Sequence, residues 1–252
     1  NKIMNFDELI PDFCLSSFSC KQNCIAIVPA IGYTLPCSEI KKLLEQRIFV
    51  LKIKIGQPGN EKDMLAKDKE RLKQIHHVCR NYSTNMTESN KIAYYLDANG
   101  RYQTKDGILR LIDYAERIGC IDQIILIEEP YAEHLVLDVS DIPVCLAADE
   151  SLHTIQDIQR RVDQGYQATA IKPAGKTLSL AFHMASASVE NAAIPFVADN
   201  ACIPILAEWN KNISARLPIF PGLKTGMMES NGPQNYACLL YTSPSPRDGL
   251  LS

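Results

Sequence analysis

The feature that most constrains this sequence is a strict alternation of short apolar runs with longer amphipathic stretches. The apolar runs are largely free of polar residues, which is typical of strands buried on both faces of a parallel sheet. The predicted strands cover residues 24–33, 49–56, 92–97, 123–130, 142–150, 168–173, 194–199 and 223–230. The predicted helices cover residues 38–47, 59–80, 105–119, 154–165, 178–191 and 205–217.

This alternation indicates an α/β fold built from repeated strand–helix units. Each unit returns the next strand parallel to the last one through a right-handed crossover. About eight such strands predict a closed parallel (β/α) barrel of the TIM type, which we assign to residues 24–237. The competing architecture, an open doubly wound sheet, would carry a glycine-rich phosphate-binding loop after an early strand, and the sequence has no such loop.

Composition limits the partners that we expect. The formal net charge of −3 favours neither nucleic acid nor an anionic membrane surface as a partner. No apolar run reaches the roughly 18 residues that a membrane helix needs. The nine cysteines are scattered without a CxxC pair, which is typical of thiols in a reducing cytoplasm. We therefore expect a cytoplasmic protein with a small-molecule partner, and homo-oligomerisation stays open.

Ionisable side chains end most of the predicted strands, at the end of a barrel where active sites are built. An ionisable residue inside an apolar strand is costly unless it is paired or bound to a metal. The residues in question are Lys52, Lys54, Asp97, Glu128, Asp149, Lys172, Asp199 and Glu229. Their repetition along the chain predicts one site at the carboxyl end of the barrel.

Three of the acids predict a metal centre. Asp97, Glu128 and Asp149 end three successive strands. Neighbouring parallel strands lie about 4.8 Å apart, so these carboxylates should converge. A cation must then offset their repulsion. Carboxylate oxygens suit Mg²⁺, with Mn²⁺ as a substitute.

Three lysines predict proton transfer beside that centre. Lys52 and Lys54 lie two residues apart and leave the same face of one strand. Because the aliphatic residues beside them would face the outer helices, both lysines should point into the barrel. Lys172 ends a strand four positions further round and should approach from the opposite side. Neighbouring cations and a low dielectric lower the pKa of a lysine, which makes it usable as a base.

The order and spacing of these motifs resemble the enolase superfamily, in the subgroup of mandelate racemase and muconate lactonizing enzymes. The matching segments are KIK at 52–54, YYLDANGRY at 94–102, IEEP at 127–130, ADES at 148–151 and IKP at 171–173. The resemblance covers about residues 24–232 and implies the modified barrel of that superfamily. It implies that Asp97, Glu128 and Asp149 hold Mg²⁺, with Glu128 rather than Glu129 as the ligand from IEEP.

The resemblance also implies roles for the lysines and for polar residues nearby. Lys54 and Lys172 would be the acid and base on two faces of a carbon next to a carboxylate, while Lys52 would bind that carboxylate and lower the pKa of Lys54. Asn99 and Glu150 are predicted to support the metal ligands. Two further acids, Asp199 and Glu229, are candidates for substrate contact.

The implied reaction is Mg²⁺-dependent removal of the proton α to a carboxylate, through an enediolate. Racemisation or epimerisation of a small-molecule carboxylate is favoured, with a dipeptide of the L-Ala-D/L-Glu type as the substrate. Syn-elimination as in o-succinylbenzoate synthase, cycloisomerisation and acid-sugar dehydration stay open. A metal-binding barrel fragment without catalysis is the alternative from another class.

The sequence departs from the family at its two ends. Members normally begin with an α+β capping domain that closes over the site and selects the substrate. We expect that domain to be largely missing, with residues 1–23 as its remnant or a linker. Near the end of the chain, the segment YTSPSPRD resembles translated sequencing-adapter read-through. We therefore expect residues 238–252 to be a disordered tail or an artefact.

Overall fold

The computed structural model describes residue 18 and residues 21–198 and 202–231. The tail predicted for 238–252 and most of the remnant predicted for 1–23 lie outside these residues. The strands are β1 Ile25–Val28, β2 Ala30–Ile31, β3 Val50–Lys54, β4 Ala93–Asp97, β5 Ile124–Glu128, β6 Leu146–Ala148, β7 Ala168–Ile171, β8 Ile194–Val197 and β9 Gly226–Glu229. The α-helices are α1 Cys37–Glu45, α2 Glu61–Cys79, α3 Lys105–Arg117, α4 Ile155–Asp163, α5 Leu178–Glu190 and α6 Pro204–Ser214. A 3₁₀ turn at Ile121–Gln123 leads into β5.

All the strand pairs are parallel and belong to one sheet. Its order is β1-β9-β8-β7-β6-β5-β4-β3-β2. The two strands at the ends of this order, β1 and β2, are separated along the chain only by Pro29. The sheet therefore curls round until its two edges meet in one extended segment. This arrangement confirms the predicted parallel (β/α) barrel.

The first predicted strand, 24–33, is wrong as a single strand. Pro29 has no backbone N–H to donate, so it interrupts the pairing. Residues before it form β1 and pair with β9, whereas Ala30 and Ile31 form β2 and pair with β3. The carbonyl of Pro29 still accepts a hydrogen bond from the backbone N–H of Lys52 at 3.1 Å. One extended segment thus serves both neighbours and completes eight strand positions around the barrel.

Alternate strand residues divide between two apolar layers, because side chains in a strand point to opposite faces. Leu51 and Ile53 join the outer layer between the sheet and the helices. Tyr95 and Phe196 join the inner layer, where alanines on neighbouring strands leave room for their rings. Lys52 lies between Leu51 and Ile53 in the sequence, so it points to the opposite face of the strand, and it is buried there. This alternation confirms that the KIK lysines point into the barrel.

Short-range signals in the sequence account for several helix starts. The side chains of Asn60, Thr104 and Thr177 each accept a hydrogen bond from a backbone N–H in the first turn of α2, α3 and α5. Thr154 and Asp157 form a reciprocal capping box at the start of α4. No helix in the described part of the chain is both long and apolar enough to cross a membrane.

A buried ion pair fixes the loop that follows β6. Arg161 on α4 is 1% exposed, and its guanidinium lies 3.8 Å from a carboxylate oxygen of Glu129. It also donates hydrogen bonds to Ser151 and Gln164. The other carboxylate oxygen of Glu129 accepts hydrogen bonds from the backbone N–H of Asp149 at 2.6 Å and from the Ser151 hydroxyl at 2.9 Å. This network ties Glu129, which directly follows β5, to the loop that begins at Asp149 after β6.

Replacing Arg161 by methionine should lower the free energy of unfolding by about 3–5 kcal/mol, because Glu129 would remain buried without its counter-charge. Arg160→Met is the matched control, since the Arg160 side chain is 51% exposed and pairs with Asp157. The control should cost less than about 1 kcal/mol. Urea denaturation followed by circular dichroism measures both values, and equal losses would contradict this account.

Candidate active site

The carboxyl end of the barrel brings most of the predicted site residues together. The strand register places Lys54 opposite Asp97, and Asp97 opposite Glu128. Asp149 follows β6 and Lys172 follows β7, so both belong to the same end of the sheet. The topology alone therefore collects acids and lysines from neighbouring strands at one level of the barrel.

Lys52 lies at the centre of the buried acids. Its ammonium is 2.8 Å from Asp97, 2.6 Å from Glu128 and 2.8 Å from Glu229, and its side chain is 3% exposed. Burial lowers the pKa of Lys52, but the neighbouring carboxylates, Glu128 foremost, raise it well above its usual range. Lys52 is therefore a permanent cation in this arrangement. That direction is the reverse of the lowered pKa that we expected for lysines at this site.

Asp97 and Glu128 respond differently to the same surroundings. Burial raises the pKa of Asp97, yet Lys52 and Lys54 together outweigh burial and lower that pKa to about 2. For Glu128, burial and the repulsion of Asp97 raise the pKa well above its usual range, because they exceed the attraction of Lys52. Glu128 thus retains a proton more readily than Asp97.

Lys54 and Lys172 lie nearer the opening than Lys52. Their side chains are 27% and 16% exposed. Lys54 lies 2.5 Å from Asp97, and Lys172 lies 2.6 Å from Asp149. Burial lowers the pKa of Lys172, but Asp149 outweighs burial and raises it. Because β3 and β7 are four positions apart in the strand order, these lysines approach from opposite sides of the barrel.

Asn99 links the loops that carry two of the acids. Its backbone N–H donates to Asp97 at 3.0 Å, and its side-chain amide donates to Glu150 at 2.8 Å. Its side-chain oxygen accepts a hydrogen bond from Lys54 at 2.9 Å. The φ angle of Asn99 is 45°, in the left-handed region that Asn tolerates better than most residues. Burial, followed by repulsion from Asp149, raises the pKa of Glu150.

Of the two acids predicted as candidates for substrate contact, Asp199 and Glu229, the structure describes only Glu229. Asp199 lies outside the described residues. Glu229 is 3% exposed, contacts Lys52, and accepts a hydrogen bond from the Asn231 side chain at 2.6 Å. Glu229 is therefore part of the buried charge cluster around Lys52, and its contact with a substrate stays a prediction.

The acids fit a divalent cation, although the lysines neutralise them in this arrangement. Within the described residues, no three Asp, Glu, His or Cys side chains form a ready-made metal site. However, one oxygen of Glu128, Oε1, is buried and accepts no hydrogen bond. The buried oxygen of Asp149, Oδ1, lies 2.6 Å from the Lys172 ammonium and is therefore already paired. Buried carboxylate oxygens with unused lone pairs are the hard ligands that Mg²⁺ prefers.

Sequence reasoning missed two residues of this site. The hydroxyl of Tyr95 donates a hydrogen bond to Glu128 inside the barrel. Glu129, considered only as an alternative ligand, holds the backbone of the loop that carries Asp149. The signal for Tyr95 was its position two residues before Asp97, which places both side chains on one face. The adjacent Tyr94 obscured that signal, because it is just as large and aromatic.

Solved structures share this barrel, whereas no protein-family model and no curated protein matches the sequence. The mandelate racemase/muconate lactonizing protein from Herpetosiphon aurantiacus aligns with a TM-score of 0.69 at 15% identity, over 87% of this chain and 58% of that one. The dipeptide epimerase from Methylococcus capsulatus, complexed with a Mg ion, aligns with a TM-score of 0.63 at 19% identity, over 86% and 59% of the two chains.

A second dipeptide epimerase, from Enterococcus faecalis V583, was solved as a complex with Mg and the dipeptide L-Leu-L-Tyr. It aligns with a TM-score of 0.64 at 18% identity, over 83% of this chain and 55% of that one. The present chain therefore spans between 55% and 59% of the length of these three proteins. The arrangement of its strands and helices is that of the barrel domain found in the mandelate racemase and muconate lactonizing enzymes of the enolase superfamily.

Proposed function

We propose that this barrel belongs to a Mg²⁺-dependent enzyme that epimerises a small carboxylate, through removal and return of the proton next to the carboxylate. The observation that carries the proposal is the position of Lys54 and Lys172 on opposite sides of a buried acid cluster. Inversion at a carbon atom requires a proton to leave from one face and another to arrive at the opposite face. Two lysines placed across the barrel meet that requirement.

The acids of the cluster would hold the metal. Asp97, Glu128 and Asp149 come from neighbouring strand ends, and Glu128 has a buried oxygen, Oε1, that accepts no hydrogen bond. Mn²⁺ has the same preference for oxygen ligands and would substitute. A bound divalent cation would supply positive charge against the negative charge that develops on the substrate carboxylate. The similarity to two epimerase structures that contain Mg supports this assignment.

The lysines would exchange roles between the two directions of the reaction. The ammonium of Lys172, held by Asp149, is ready to donate a proton from Nζ to one face of the carbon. Lys54 Nζ, which contacts Asp97 and Asn99, would act as the neutral amine and remove the proton from the other face. For the opposite isomer the protonation states would be reversed, so that Lys172 as the neutral amine accepts the proton and the Lys54 ammonium returns one. Asn99 keeps Lys54 aimed at the opening, because it is itself fixed by Glu150.

The proposed substrate is a dipeptide. Its support is the similarity to two dipeptide epimerases, one of which holds L-Leu-L-Tyr. A barrel that binds metal without catalysis is the second candidate. The ion pair between Lys172 and Asp149 favours that second candidate, because a lysine held as an ammonium accepts no proton. Metal binding without exchange of the substrate proton would distinguish the second candidate from the first.

Magnesium should stabilise the folded chain, because a ligand that binds only the native state shifts the unfolding equilibrium. The gain should reach about 2.7 kcal/mol when the free Mg²⁺ concentration is 100 times its Kd. Asp149→Asn should remove most of that gain, whereas Asp122→Asn, a change at a surface acid paired with Lys91, should keep it. Calorimetric titration and thermal melts measure both effects. A wild-type chain that binds no Mg²⁺ would refute the metal site.

The two lysines should each control proton exchange from one stereoisomer of the substrate. In D₂O, Lys54→Ala should lose α-hydrogen exchange from one isomer, and Lys172→Ala from the other. Lys91→Ala, at an exposed surface lysine, is the control and should exchange both isomers. Proton NMR on a panel of dipeptides measures the rates, with the chain in its natural full-length context.

Other outcomes of the exchange experiment are equally informative. An elimination uses one lysine as base and the other only as a cation, so a single variant would lose all exchange. If both lysine variants exchanged every substrate at the wild-type rate, the proposed proton transfer would be wrong. If the wild type bound Mg²⁺ but exchanged no substrate proton, the second candidate would replace the first.

A further inference from the structure

Tyr95 occupies the middle of β4 and points into the barrel, where it is fully buried. Its ring makes an edge-to-face contact with Phe196, with the centroids 5.6 Å apart and an angle of 89° between the rings. The Lys52 ammonium lies 4.8 Å from the centroid of the Tyr95 ring. The ring is therefore held by an aromatic contact and a cation–π contact, and its hydroxyl has a fixed direction.

That hydroxyl donates a hydrogen bond to Glu128 Oε2. The Lys52 ammonium lies 2.6 Å from the same oxygen. The other oxygen, Oε1, is buried and accepts no hydrogen bond. Two donors thus fix the orientation of the carboxylate through one oxygen and leave the second available. A buried acceptor without a partner is costly, so its position calls for a ligand.

A tyrosine suits this task because its hydroxyl is a neutral donor. A second lysine in the same place would orient Glu128 equally well, but it would cancel the negative charge that attracts a cation. The inner layer that contains Tyr95 also contains small side chains from β6 and β7, namely Ala147, Ala168 and Ala170.

We infer that Tyr95 is a positioning residue that holds Glu128 with Oε1 presented to a divalent cation, and that this favours Mg²⁺ over Ca²⁺. The inference rests on the proposed metal site. Mg²⁺ demands near-ideal octahedral ligands, whereas Ca²⁺ accepts variable geometry and number. A carboxylate with a fixed orientation therefore helps the smaller ion more. Groups that orient a metal ligand commonly contribute 10-fold to 100-fold in metal affinity.

The test is Tyr95→Phe, which keeps the ring and removes only the hydroxyl. Titration calorimetry with MgCl₂ or CaCl₂ alone should show Mg²⁺ binding weakened about tenfold or more. Ca²⁺ binding should weaken less, so the ratio of the two affinities should fall. A merely structural role would lower the melting temperature of the metal-free protein without changing that ratio.

Tyr94→Phe is the matched control. Tyr94 is the adjacent residue, is equally buried, and belongs to the outer layer, where its hydroxyl contacts the His76 ring at 3.0 Å. Loss of the Tyr94 hydroxyl should leave the Mg²⁺ affinity and the Ca²⁺ affinity unchanged. If the wild type binds Mg²⁺ and Tyr95→Phe keeps the wild-type ratio of Mg²⁺ to Ca²⁺ affinity, the role inferred for Tyr95 is wrong. If the wild type binds no Mg²⁺, the proposed metal site itself fails.

A second variant keeps the test valid if Tyr95→Phe does not fold. Phe196→Leu removes the ring that packs against Tyr95 and changes none of the acids or lysines. Loss of that contact should free the Tyr95 ring and lower the Mg²⁺ affinity relative to the Ca²⁺ affinity. An unchanged ratio in this variant would also overturn the inference.

Discussion

Charge compensation inside a closed barrel is the constraint on which this site depends. Closure forces neighbouring strand ends to within about 4.8 Å of each other, so acids placed there cannot avoid one another. Lys52 resolves the conflict by contacting Asp97, Glu128 and Glu229 at once. Removal of any one carboxylate would still leave the ammonium with two others. The cluster therefore tolerates a change in one acid better than a change in Lys52, which would leave three buried carboxylates without their common cation.

Much of this arrangement follows from local sequence signals. The apolar runs predicted the parallel strands, and period-two spacing predicted that the KIK lysines face inward, because both signals depend only on the strand itself. Pro29 was a local signal too, but it was outweighed by the apolar residues on either side, so one strand was predicted where two are present. The position of Lys52 between three acids was not predictable in the same way, because it depends on side chains from β4, β5 and β9.

The roles of adjacent residues show where sequence reasoning ends. Glu128 and Glu129 are identical side chains on neighbouring positions, yet one points at the buried cluster and the other pairs with Arg161 outside it. Tyr94 and Tyr95 divide in the same manner between the outer and inner layers. Strand periodicity predicts that such neighbours face opposite ways, and the spacing of Tyr95 from Asp97 indicates which face it shares; the contacts that each member makes depend on the register with the next strands.

Depth in the barrel separates the three lysines by what each can do. Lys52 is enclosed by three carboxylates and the face of Tyr95, so its ammonium has no open side for a substrate carboxylate. Lys54 and Lys172 each contact one acid and remain partly exposed. A single ion pair near an opening can break and re-form as charge in the site changes, whereas a cation held by three carboxylates cannot follow. The resemblance implied that Lys52 binds the substrate, which stays a prediction; its burial sets it apart from Lys54 and Lys172, the two lysines that we propose for proton transfer.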